Sequence, residues 1–117
     1  MRVLIADGQK DAGNSLAELV ERCGHEVLLV VNSGLEAIQS YSRLQPDVVL
    51  LDFALQRLNG ATAARMILAK DPAARIVLVT TDGPTGQIAD LGMVAILVKP
   101  VGLDKLYGAL YDAAPTG

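Results

Sequence analysis

The 117-residue chain holds one cysteine, one histidine, one phenylalanine and no tryptophan. A single cysteine, Cys23, excludes an internal disulfide and fits a reducing compartment, so the expected location is the cytoplasm. Cys23 also falls on the apolar stripe of an expected helix, where packing is favoured over reactivity. Aromatics make up only 3% of the residues, and lysines and arginines are scattered singly. With a net charge of −3, the chain lacks both the basic patch and the aromatic platform of a nucleic-acid binder. No apolar run approaches the roughly 18 residues of a membrane span. The opening MRVLIADG enters a strand at once, and its apolar run is too short for a signal peptide. Low-complexity tracts and linkers are also missing. The lone His25, between Gly24 and Glu26, is expected at a surface turn.

What is present describes a globular core: 51% of residues are hydrophobic and 20% charged, enough to fold as one domain over residues 1–117. Residues 113–117 are expected as a frayed tail. Five apolar runs recur, Val3–Ala6, Val27–Val31, Val48–Leu51, Ile76–Val79 and Ala95–Val98. All are rich in β-branched residues and none alternates with polar ones, which predicts parallel strands covered on both faces. Helical spacing fills the gaps. Ala12, Leu16, Leu19, Val20 and Cys23 form one stripe, with Gly24 at the C-cap. Ala37, Ile38 and Tyr41 form a second, stopped by Pro46. Ala64, Ile67 and Leu68 form a third, closed by Asp71-Pro72. Leu103, Leu106, Tyr107 and Leu110 form the last. The fourth connection, TDGPTGQIADLG, leaves room for only a turn or two of helix around Gln87 to Leu91. The expected fold is α/β: a (βα)5 doubly wound, five-stranded parallel sheet of flavodoxin-like order 2-1-3-4-5, its fourth helix shortened.

In such folds ligands bind outside the carboxyl ends of the strands, where strand order reverses. Strand 1 exits at Asp7, strand 3 at Asp52, strand 4 at Thr80 and Thr81, and strand 5 at Lys99. An acid at a strand end often only orders a turn, and a lone lysine is usually a solvated charge. Together they suit phosphate chemistry. Two carboxylates can hold Mg²⁺ alongside a phosphate, a carboxylate beside that ion can attack phosphorus, and Thr and Lys can steady the phosphoryl oxygens.

Four segments in register then resemble the receiver domains of two-component response regulators. RVLIADG is similar to the opening strand and acidic turn, and PDVVLLDFALQRLNG to the segment around the phosphoacceptor. IVLVTT resembles the strand ending in the switch Ser/Thr, and ILVKPV the strand ending in Lys-Pro. The likeness covers nearly the whole chain. It implies that Asp52 accepts a phosphoryl group from a histidine kinase or phosphotransfer protein, and that Thr80 and Lys99 contact that group. It further implies that Asp7, Asp52 and the backbone carbonyl of Ala54 hold Mg²⁺, and that the Lys99–Pro100 bond is cis. The chain is then a stand-alone signalling domain that docks to an output protein. It is not an enzyme beyond Mg²⁺-assisted self-phosphorylation and self-dephosphorylation.

The departures from the family are specific. Gly8 stands where a second acid is usual, so resting Mg²⁺ binding is expected to be weak and Gly8→Asp to tighten it. Gln9 and Asp11 are the nearby alternatives. Gln56 replaces a loop proline, Asn59 replaces an Asp, and Ile96 replaces the aromatic residue of switching members. Gly8 and Ile96 support an alternative: a degenerate receiver that binds a partner without being phosphorylated. A haloacid-dehalogenase type of phosphatase is disfavoured, because it needs a general acid two residues past the nucleophile, where this chain has Ala54, and a cap segment.

Overall fold

A computed structural model of the protein describes residues 1–55, 57–81 and 93–114. Five parallel strands, β1 (Arg2–Ala6), β2 (Glu26–Val31), β3 (Val48–Asp52), β4 (Ile76–Thr80) and β5 (Ala95–Val98), form one sheet in the order β2-β1-β3-β4-β5. Among the described residues, helices α1 (Lys10–Arg22), α2 (Gly34–Leu44), α3 (Gly60–Lys70) and α4 (Leu103–Ala113) accompany them. The strand order is the one the sequence implies, and every strand matches its apolar run to within one residue at either end. The short helix expected around Gln87 to Leu91 lies outside the described residues, as do Gln56 and residues 115–117.

The absence of polar alternation in the strand sequences has a direct cause. Val3, Ile5, Val48, Leu50, Val77 and Val79 pack with Leu16 and Val20 of α1 and with Leu106 and Leu110 of α4. The intervening residues Leu4, Ala6, Val49, Leu51, Ile76 and Leu78 pack with Ala37, Ile38 and Tyr41 of α2 and with Ala63, Ala64 and Ile67 of α3. Helices therefore cover both faces, and neither set of alternating positions meets water. The edge strands are different: β2 and β5 each carry partly exposed positions.

Helix boundaries follow local chemistry. Ser33 caps α2, its hydroxyl accepting the Glu36 N–H at 3.1 Å and donating to Glu36 Oε1 at 3.2 Å, a side-chain N-cap oriented by the residue it caps. After Cys23, which ends α1, Gly24 adopts φ +90°, a left-handed conformation that glycine tolerates best.

Three expectations change. In α4 the buried face is Leu106, Ala109, Leu110 and Ala113, whereas Leu103 and Tyr107 are exposed. Tyr107 stands about 100° round the helix from Leu106 and so faces away from the sheet. Ala113 is not part of a frayed tail; it closes α4 and is fully buried on the same stripe. Cys23 keeps the packing role expected of it: partly buried, it lies against the core, and desolvation raises its thiol pKa. His25 is also partly buried, with Nδ1 2.8 Å from the Met1 amino group. Burial first, and then that ammonium, lower its pKa.

Candidate functional site

Strand register builds the site. Ala6 pairs with Leu51 across β1 and β3, so the next residues along, Asp7 and Asp52, leave the sheet side by side. Asp52 is itself the last residue of β3 and pairs with Val79 of β4. Thr80 pairs with Val98, and the Lys99 N–H donates to the Thr80 carbonyl at 2.8 Å. The four exits singled out in the sequence thus come to one end of three adjacent strands and the edge strand beside them.

Asp7, Asp52 and Thr80 are all buried, at 1%, 5% and 4% exposure. Burying two carboxylates is costly unless each is hydrogen-bonded and charge-compensated, and both conditions are met. Asp7 Oδ1 accepts the Gln9 N–H at 2.9 Å. Asp52 Oδ1 accepts the Ala54 N–H at 3.2 Å, and Asp52 Oδ2 accepts a longer, weaker bond from the Gly8 N–H at 3.4 Å. Lys99 supplies the charge, its Nζ lying 3.1 Å from Asp7 Oδ2 and 3.3 Å from Asp52 Oδ2. Partial burial pulls the Lys99 pKa down, but the hydrogen bonds and charges of Asp7 and Asp52 outweigh it and the net displacement is upward.

The glycine that follows the short loop after β3 also has its reason. A Cβ on Gly60 would lie 2.3 Å from the carbonyl oxygen of Asp52 and 2.7 Å from Phe53 Cα. The start of α3 therefore sits directly against the end of β3, with the Gly60 N–H donating to the Phe53 carbonyl at 2.8 Å. Asn59 caps the helix there, its Oδ1 accepting the Thr62 N–H at 2.9 Å. By the family resemblance Asn59 only replaces an Asp. Its signal was available: Asn immediately before a helix is a favoured cap.

Gly8 corrects a second expectation. A Cβ there would lie 2.3 Å from the Ala54 carbonyl oxygen, far inside contact distance. The backbone at Gly8 is not left-handed, so the obstacle is the neighbouring carbonyl and not local conformation. Gly8→Asp does not simply restore a missing ligand, because any side chain at position 8 must first displace the loop after β3. Nor does Asp11 reach in: it is exposed on the first turn of α1. Among the described residues no group of three His, Cys, Asp or Glu side chains could hold a metal ion. The donor set is two carboxylates, which fits a weakly held Mg²⁺ that keeps waters or gains phosphate oxygens.

Beside Asp7 and Lys99 opens a cleft of about 430 Å³, walled by Leu16 and Leu19 of α1 and by Pro100 and Val101. The Lys99–Pro100 bond is cis. Ile96 is half-buried and packs on the core shared with α2 and α3.

The chain as a whole is similar to known proteins. The model of the response regulator receiver domain matches residues 3–111. The chain belongs to the response regulator receiver family. The chemotaxis protein CheY of Listeria monocytogenes is 31% identical over 117 residues, covering 97% of this chain and 98% of its own. The signal receiver domain of a modulated diguanylate cyclase from Desulfovibrio desulfuricans G20 superposes with a TM-score of 0.85 at 28% identity, over 96% of this chain and 91% of that one. The receiver domain of the Pseudomonas aeruginosa PAO1 sensor histidine kinase PA1611 shares the fold, with a TM-score of 0.84 at 24% identity over 93% of each chain; it was solved with a magnesium ion in its active-site cleft. Receiver domains are signalling domains of two-component systems that interact with histidine kinases, phosphotransfer proteins and downstream targets. Among the described residues of this receiver domain, no helix is long and apolar enough to cross a membrane.

Proposed function

We propose that this receiver domain accepts a phosphoryl group on Asp52 and signals by docking to another protein. The observation that carries the reading is the convergence of Asp7, Asp52 and Lys99 at the exits of β1, β3 and β5, both carboxylates within hydrogen-bond reach of the Lys99 ammonium. An Asp52 carboxylate oxygen attacks the phosphorus of a phosphohistidine. The new P–O bond forms as the P–N bond breaks, and the imidazole nitrogen keeps the electron pair and takes up a proton. Lys99 and Thr80 steady the phosphoryl oxygens as charge gathers on them. Asp7, Asp52 and the Ala54 carbonyl would hold Mg²⁺, which would supply positive charge to the transferring group.

Two observations favour a second reading, a receiver that works without phosphorylation. Position 8 has no room for a second acid, and Lys99 already satisfies both carboxylates. Intact mass after treatment with acetyl phosphate and Mg²⁺ separates the two. One added phosphate, lost in Asp52→Asn, supports the acceptor reading. An unchanged mass supports the other.

A further inference from the structure

The resting site already contains a cation. Lys99 Nζ spans the two carboxylates, at 3.1 Å from one and 3.3 Å from the other, the same pair toward which a divalent ion would be drawn. Lys99 is anchored at both ends: its backbone N–H donates to the Thr80 carbonyl, and its side chain, only 25% exposed, ends between the two carboxylates. The place of a further acid at position 8 is closed by the Ala54 carbonyl, 2.3 Å from where a Cβ would stand. Two carboxylates and one ammonium leave a single net negative charge. A third carboxylate would double that deficit and call for a divalent counter-ion. Without it, an incoming phosphoryl-like anion meets less repulsion, and Lys99 is the nearest source of positive charge.

We infer, given Asp52 as the acceptor, that Lys99 is the resident cation of this site and that anion capture at Asp52 depends on its ammonium and not on a divalent metal. Phosphoryl-type chemistry at this site then runs in metal-poor conditions that would silence a three-carboxylate site.

The test uses the beryllium trifluoride anion, which takes the place of a phosphoryl group when the Asp52 oxygen displaces a water from beryllium. It is titrated into the protein in metal-depleted buffer and in millimolar Mg²⁺, following the amides of Asp7, Gly8 and residues 52–54 by NMR. The expected affinities agree within about tenfold. In Lys99→Met, capture without metal should fall by about 100-fold or more, with Mg²⁺ restoring part of it. Resting Mg²⁺ should bind Lys99→Met more tightly than the parent, because both carboxylates are released. Capture by the parent only when Mg²⁺ is present overturns the inference and leaves Asp52 as acceptor. Capture in neither buffer overturns both. Metal-free capture by Lys99→Met equal to that of the parent also overturns the inference. The two parent titrations decide the matter even if that variant does not fold.

Discussion

At position 8 the family pattern and the steric environment point in opposite directions. Sequence reading marks Gly8 as a missing acid, which is correct as chemistry, and expects an Asp there to repair the site. What it could not show is the Ala54 carbonyl lying where a Cβ would go, because that contact joins residues 46 positions apart through the β1–β3 register. Gly8→Ala tests the contact without adding charge. Overpacking against backbone typically costs about 1–3 kcal/mol, so urea unfolding should show a loss of that size. A change within about 0.5 kcal/mol, the usual range for an unconstrained surface site, would mean the loop yields freely. Gly8→Asp is accordingly expected not to improve Mg²⁺ binding, as a metal titration will report. Lys99 gives a pH test of opposite character. Its folded-state pKa is raised, so its contribution to stability is complete below the unfolded value near 10.4. That contribution disappears as pH rises through the higher folded value. The stability gap between parent and Lys99→Met should therefore be constant around neutral pH and narrow in strongly alkaline solution.

Strand elements were the most legible part of the molecule, because burial on both faces writes each of them as an unbroken apolar run. Helix faces were less so. Sequence spacing puts the α4 stripe on Leu103, Leu106, Tyr107 and Leu110, yet the helix turns Ala109 and Ala113 inward and leaves Tyr107 out. Small alanines carry little signal in sequence, while a tyrosine reads as apolar whichever way it faces. Leu106→Ala should cost about 2–5 kcal/mol, as for other fully buried leucines. Tyr107→Ala should change unfolding free energy by no more than about 0.5 kcal/mol. Equal losses would restore the original stripe. Asn59 belongs to this scale too, since its cap fixes where α3 begins and hence how the loop after Asp52 is held. Asn59→Ala should destabilise by about 1 kcal/mol, read by thermal or urea unfolding. Ile96 brings no ring or hydroxyl to the switch. Phosphorylation is therefore expected to shift amides of residues 53–60 and of Thr80 and Thr81 more than those of β5 and α4.

For the whole molecule, the site was legible as a set of strand exits before any geometry was known. Asp7, Asp52, Thr80 and Lys99 follow from the rule that ligands gather at the carboxyl ends of parallel strands. What the sequence left unspoken was electrostatic: one ammonium shared between both carboxylates. Everything proposed here rests on Asp52 being the residue that takes the phosphoryl group. The most direct test traps it chemically. Borohydride reduces an acyl phosphate to an alcohol, so a phosphorylated aspartate becomes homoserine, which peptide mass spectrometry can place. After treatment with acetyl phosphate and then borohydride, the account expects homoserine at position 52 and nowhere else, and none in Asp52→Asn. Homoserine at position 7 or 47, or at no position while the protein is folded, would contradict it.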